Sequence, residues 1–301
     1  MTHSTVRRRL LKATLPAAAL GALSALVDQA AALTQPAPAR MPVLFIGHGS
    51  PMNAIQDNAF SRYLRGWGAR LPRPKAILVV SAHWLTPGTT AVGVQVRPKT
   101  IHDFSGFPNS LSTMEYPAPG SPEFAGEAMS VLRRTKVQPT EEWGLDHGAW
   151  TVLHHLYPAA DVPVFQLSIA YDRPADFHHA LGRELAPLRD KGVLIVGSGN
   201  VVHNLRATDR VEGLSSTASR PWAQTFDDAV KRALDARDDM GLVNYGRLAG
   251  GAAATAVQTP DHYYPFLYAL GASDSMNEKA LSVFEGFQAG TLSMRCVQFG
   301  V

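Results

Sequence analysis

Apolar residues gather into short, nearly unbroken runs at 43–46, 76–80, 91–96, 162–167 and 193–196, with a last one at 292–299. A strand with one wet face alternates apolar and polar positions; near-continuous runs of this kind belong to strands covered on both faces. Between them, helical signals span 58–70, 122–134, 149–156, 174–190, 220–237 and 263–270. Ser121-Pro122 and Arg173-Pro174 mark helix starts, with proline in the first turn, where its missing N–H removes no hydrogen bond. The alternation of strand and helix predicts an α/β fold: one domain over 41–301, with a central, mostly parallel sheet and helices on both faces. Nothing after residue 40 resembles a linker, and there is no internal repeat. Residues 97–120 (RPKTIHDFSGFPNSLSTMEYPAPG) form a long loop rich in Pro, Gly and aromatics. Loops of that length inside a compact domain usually carry function.

Composition adds little beyond confirming a globular chain. Its 301 residues are 46% hydrophobic and 18% charged, enough for a sizeable core. Charge is more informative. The net charge is +3, and residues 1–32 account for all of it, with Arg7, Arg8, Arg9 and Lys12 against Asp28. The remainder is near neutral, which excludes the basic surface that nucleic acid requires. VRRRLLK at 6–12 has the order of a twin-arginine export signal. The apolar stretch that follows, 13–26, is too short to span a bilayer comfortably, and Ala30-Ala31-Ala32 offers a small-residue cleavage site. The expectation is an export signal over 1–32 and a Pro/Ala linker over 33–40. The protein would then pass folded through the twin-arginine machinery to the periplasm, with no stable membrane anchor after cleavage. A basic amphipathic start or an uncleaved anchor is the alternative. The single cysteine, Cys296, excludes an internal disulfide and any Cys-based zinc site, and its apolar surroundings read as inert packing.

The candidate chemistry lies in the histidines, of which there are 11. Run 43–46 delivers His48 into Gly47-His48-Gly49, run 76–80 leads to His83 in SAHW, and run 193–196 leads through GSGNVVHN to His203. In open α/β sheets ligands bind beyond the carboxyl ends of the strands, so three imidazoles converge on one sheet edge. His262, in TPDHYYP at the start of a helix, is a fourth candidate. A lone strand-end histidine is more often hydrogen-bonded filler than a ligand, but several together are costly unless a cation compensates them. The wide spacing describes a site assembled by the fold, since neither a finger pattern nor HExxH occurs. His147, after Asp146 in WGLDHGAW, has a neighbouring carboxylate suited to orient an acid/base imidazole, or is simply a helix-start histidine beside a capping aspartate. His102, in the long loop, is a candidate substrate contact. The pairs His154-His155 and His178-His179 sit in helical stretches and read as structural. No G-x-S-x-G elbow, GxGxxG or Walker lysine is present.

Taken in order, GHGSPMN, SAHW, TIHDFSGFP, YPAPGSP, WGLDHGAW, GSGNVVHNL and DHYYP resemble the DODA-type extradiol ring-opening dioxygenases, a branch of the class III (LigB-like) superfamily. The resemblance covers 41–301. It implies a single α/β domain with one non-haem divalent metal, Zn(II) or Fe(II), held by His48, His83, His203 and His262, with His147 as acid/base. It also implies a small aromatic diol such as DOPA and O₂ as substrates, ring cleavage to a muconate semialdehyde, and Phe104 and Phe107 covering the ring. The broader superfamily uses two histidines and a glutamate around Fe(II); here His262, beside Asp261, stands in the third place. Because zinc has no redox chemistry, Fe(II) is the metal expected for O₂ activation. A zinc hydrolase using the same histidines and a non-enzymatic binding protein on the same scaffold are the competing classes.

Overall fold

The computed structural model describes residues 40–208, 217–273 and 277–300. The expected export signal (1–32), and all of the expected linker (33–40) except Arg40, lie outside the described residues. Eight strands form the main sheet: β1 (Val43–Gly47), β2 (Ala76–Thr86), β3 (Thr90–Gly93), β4 (Val137–Thr140), β5 (Val164–Ala170), β6 (Val193–Gly199), β7 (Ala280–Phe284) and, after a small β8–β9 pair (Phe287–Gln288 with Leu292–Ser293), β10 (Cys296–Phe299). Their order is β4-β3-β5-β2-β6-β1-β10-β7. The central pairs β5-β2, β2-β6 and β6-β1 are parallel, as is β3-β4. β3-β5 and the C-terminal strands β10 and β7 run antiparallel to their neighbours.

Successive strand side chains point to opposite faces, and here both faces are dry. Val43 and Phe45 enter one apolar cluster and Leu44 and Ile46 the other; Leu78 and Val80 oppose Ile77 and Val79 in the same way. That is why the runs read as continuous rather than alternating. One face is covered by α2 (Pro122–Val131), α4 (Ala175–Leu185), α5 (Pro221–Asp235) and α6 (Tyr264–Ala272), the other by α1 (Ala59–Gly68) and α3 (His147–Leu156). Local signals start several of these helices. Asn58 and Ser61 form a capping box at α1, Ser121 accepts from Phe124 N ahead of α2, and Asp146 accepts from Ala149 N at the head of α3. No described helix is long and apolar enough to cross a membrane.

The expected α/β architecture holds, with differences at the edges. The run at 76–80 continues as strand to Thr86, through an irregularity between Val80 and Leu85. The run at 292–299 is two strands, β9 and β10, broken at Met294-Arg295. The 174–190 signal is α4 followed by a 3-10 turn, Ala186–Lys191, where Pro187 cannot donate the next helical hydrogen bond. β4 and β7 lack an apolar run because they are edge strands with partly exposed side chains, and β4 contains Pro139.

The break before β10 is held by Arg295, a buried side chain that bonds Asp227 of α5 together with Ser282 and Glu285; Ser293 donates to the same aspartate at 2.6 Å. Asp227→Ala would leave a buried guanidinium with only the Ser282 hydroxyl and a half-exposed carboxylate, and breaking a buried pair typically costs about 3–5 kcal/mol. The expected outcome is a lowered urea midpoint with an unchanged slope, measured by circular dichroism.

Candidate metal centre

Why the first apolar strand ends in a glycine-flanked histidine is now evident. His48 directly follows β1, and its backbone N–H donates to Gly199 O at 3.0 Å, stitching the turn to the end of β6. Gly49 takes φ +62°, and a Cβ there would overlap the Gln288 side chain and Met294. Gln288 in turn accepts from Ser50 N and Asn53 Nδ2, so the turn is fixed from behind. His83 sits in the irregular part of β2, and His262 closes the short turn Pro260–His262 ahead of α6. That turn packs on β6: a side chain at Gly199 would collide with the His262 carbonyl, which accepts from Asn200 N at 2.9 Å.

Three imidazoles meet as a result. One ring nitrogen each from His48, His83 and His262 lies within 4.8 Å of the others. His48 Nε2 and His83 Nε2 are 3.2 Å apart. Their opposite nitrogens have partners. His48 Nδ1 lies 3.0 Å from Ser198 Oγ, whose own proton goes to Gly148 O at 2.5 Å, so the imidazole must be the donor. His83 Nδ1 faces Asp103 Oδ2 at 3.4 Å, and His262 Nδ1 faces Asp261 Oδ2 at 2.5 Å. With its proton on Nδ1, His48 offers a lone pair at Nε2, which faces His83 Nε2 at 3.2 Å, as neighbouring ligand nitrogens around one cation would. A serine or carboxylate behind each ligating imidazole is the usual outer shell of a metal site. The donor set therefore fits a divalent ion.

Electrostatics agree. Burial, reinforced by the neighbouring imidazoles, holds His48 and His83 well below the ordinary histidine value, which keeps them neutral and available as ligands. Burial and the nearby His262 bring His203 down to about 2. Burial pushes the Asp261 carboxyl up, but the hydrogen bond from His262 works against it, and the net shift is downward.

The other sequence-predicted residues divide. His203 lies outside the group of three nitrogens; its ring stacks on His262 at 3.5 Å and 5°, and its backbone bridges Val257 and Leu292. His147, the first residue of α3, has its ring 3.9 Å from that of His83. Its carboxylate partner is Asp103, not the adjacent Asp146: Asp103 Oδ2 is 3.0 Å from His147 Nδ1, and Oδ1 accepts the His147 backbone N–H at 2.9 Å. Asp146 is turned inward, capping α3 and accepting from Ser81 and Gln166. Phe104 and Phe107 line the site, whereas His102 bonds Met114 O at 2.8 Å and packs against Trp150. His155 and His178 are tied to Asn53 O and to Tyr268 and Arg173, as structural residues would be. Asp103, and the role of Ser198 behind His48, are not legible in the sequence; Ser198 reads there only as a glycine-flanked serine without a G-x-S-x-G elbow. The one available signal for Asp103 was its place in TIHDFSGFP, and Ser198 had only its position in GSGN.

The cluster opens into a cavity of about 260 Å³, walled by the five imidazoles of His48, His83, His147, His203 and His262 and by Phe104, Phe107, Leu205 and Leu292. A larger hollow of about 560 Å³, between Asp57–Phe60 and Phe284–Gln288, has no histidine in its walls. An open ligand set facing an aromatic-lined cavity is the arrangement of a metal enzyme acting on a small aromatic molecule.

Comparison with known proteins agrees with this class. Residues 42–292 match the family described as the catalytic LigB subunit of aromatic ring-opening dioxygenase, and the chain belongs to that family. It is 47% identical to the 4,5-DOPA dioxygenase extradiol of Escherichia coli K12, over 87% of this chain and 95% of that one, and 38% identical to the Beta vulgaris protein of the same name, over 85% and 95%. The crystal structure of an uncharacterized Escherichia coli K12 protein superposes with a TM-score of 0.74 at 43% identity, covering 87% of this chain and all of that one. Within the family, the chain is an extradiol dioxygenase of the DODA type.

Two outcomes test the centre. Adding Zn(II) or Co(II) to metal-free protein should raise its melting temperature, by the equivalent of about 2.7 kcal/mol at a hundredfold excess over Kd; His83→Ala should abolish the rise. For the metal-free protein, the folded-state values of His48, His83, His203 and His178 (the last at about 4) lie below the unfolded value of 6.5. The unfolded chain then binds more protons below pH 6.5, so stability is fully present above it and falls progressively as pH drops toward 4, as thermal melts across that range should record.

Proposed function

We propose that the protein cleaves the ring of a catechol, such as DOPA, beside its two hydroxyls, placing both atoms of O₂ in a muconate semialdehyde product. The observation that carries this reading is the open three-imidazole set at the floor of an aromatic-walled cavity, in a chain of this family. His48, His83 and His262 would hold the metal, with Fe(II) the species suited to O₂ because zinc cannot change oxidation state. When bound, such an ion supplies an anchor for the two catechol oxygens and a route for electrons from the ring to O₂.

The chain's own groups supply the rest. Asp103 orients His147 through its Nδ1, leaving Nε2 as the nitrogen free to take the proton of a catechol hydroxyl and later return it. His203, stacked on His262 at the cavity wall, would contact the bound diol. Phe104 and Phe107 meet edge-to-face at 5.4 Å and would cover the apolar ring and exclude water from it. His102, bonded to Met114 O, supports their loop.

We further propose that the protein leaves the cytoplasm folded. VRRRLLK and the apolar stretch after it support twin-arginine export to the periplasm, and a site that needs a loaded metal suits a route for folded cargo. Changing Arg7 and Arg8 to Lys should leave the protein in the cytoplasmic fraction.

Anaerobic loading with Fe(II), followed by oxygen-electrode and absorbance assays over a panel of catechols, tests the activity. A coloured ring-fission product with matched O₂ uptake is expected, whereas turnover without O₂ would favour hydrolysis at the same histidines. His147→Gln should lower kcat by about 10²–10⁴-fold, as loss of a general acid/base does.

A further inference from the structure

Asp103 has more contacts than a partner of one histidine needs. The residue as a whole is exposed, yet its side chain is only 17% exposed and points inward. One carboxylate oxygen, Oδ2, lies 3.0 Å from His147 Nδ1 and 3.4 Å from His83 Nδ1, while Oδ1 accepts the His147 backbone N–H. Asp103, His83 and His147 thus form a second convergent group beside the three-imidazole cluster, sharing His83 with it. We infer that Asp103 is a positioning residue that holds a metal ligand and the acid/base histidine in one register, with a single carboxylate oxygen fixing the tautomer of both. The inference rests on the metal-dependent dioxygenase reading and extends it.

The chemistry follows from the shared oxygen. A carboxylate only accepts, so His147 presents N–H at Nδ1 and keeps a lone pair at Nε2, while the same oxygen, 3.4 Å from His83 Nδ1, favours the proton on that nitrogen by its charge. For His83 that lone pair is the one in the ligand cluster; for His147 it is the base. The rings of His83 and His147 are 3.9 Å apart, so a shift of one displaces the other. The carboxylate comes from the loop that carries Phe104 and Phe107, which places ring cover, proton transfer and metal ligation under one tether. Asparagine cannot reproduce this: with its oxygen toward the rings its NH₂ faces the His147 backbone N–H, and with its NH₂ toward the rings it has no acceptor for either Nδ1.

The loop does not depend on this carboxylate for its fold. Ile101 N donates to Leu145 O, Leu145 N to Lys99 O, and Trp150 Nε1 to Ile101 O, all within 2.7–2.9 Å. Removal of the charge should therefore spare the fold and alter the centre.

The test compares the full chain with D103N and D103E. Co(II) affinity is measured by chelator competition, the visible Co(II) spectrum is recorded, and kcat and KM for a catechol are taken at saturating Fe(II). D103N is expected to bind Co(II) about 10–100-fold more weakly, as loss of an outer-shell partner does. It should also show an altered Co(II) spectrum and a kcat lowered more than KM is changed, while the melting temperature of the metal-free form stays at the parental value. D103E should recover part of the affinity and the rate. Parental Co(II) affinity and spectrum in D103N would overturn the inference, as would a change confined to KM, which would make Asp103 a loop support. If parent and variant both fail to cleave any catechol, yet D103N binds Co(II) more weakly, the ring-cleavage reading falls and the positioning role stands. If the parent cleaves catechols and D103N keeps its metal affinity, the reverse holds.

Discussion

Three imidazole nitrogens brought within 4.8 Å of one another, from His48, His83 and His262, are the constraint on which the centre depends. The rings of His48 and His83 are neutral there, since a protonated one would be a buried cation beside further imidazoles. The arrangement persists because the surroundings leave the side chains no alternative. Ser198 holds His48, Asp103 faces His83, and Asp261 holds His262. Side chains fixed in this way by a rigid scaffold are what a pre-formed metal site requires.

The scaffold supplies the rigidity through its central parallel strands. β1, β2 and β6 are neighbours, buried on both faces, and their carboxyl ends bring His48, the bulge bearing His83 and the Gly-Ser-Gly-Asn turn to one edge. The last turn has two uses. Ser198 orients His48, and the bare Cα of Gly199 lets the His262 segment lie against the strand. The floor of the site is thus built from the best-packed part of the molecule, while its cover, with Asp103, Phe104 and Phe107, comes from a long loop. Rigid ligands below and an adjustable wall above suit an enzyme that must hold an ion permanently and admit an aromatic ring repeatedly.

The C-terminal strands play a quieter part. Ser293 O accepts from Asn200 Nδ2, and Leu292 pairs with His203, so the β9 segment forms part of the cavity wall. The buried Arg295–Asp227 pair secures that segment to α5. A structural ion pair distant from any chemistry therefore determines where one wall of the cavity stands.

The sequence by itself determined the α/β class, the central strands and the longer helices, because burial on both faces and helical periodicity are local patterns that survive without tertiary context. It also delivered His48, His83 and His203 as a set, since residues at strand ends in such a sheet share an edge whatever the loops do, with His262 at a helix start as a fourth candidate. It located the loop holding Asp103 but not that residue's role. Tertiary structure alone decided which imidazoles group: three nitrogens converge while His203 stacks beside them, a distinction of a few ångströms that spacing along a chain does not encode. It also reassigned the carboxylate behind His147. Adjacent residues at a helix start point in different directions, so Asp146 turns inward to cap α3, and the partner arrives from 44 residues away. Edge strands β4 and β7 escaped notice for a related reason: half-exposed and short, they take their strand character from the neighbour they pair with rather than from their own residues.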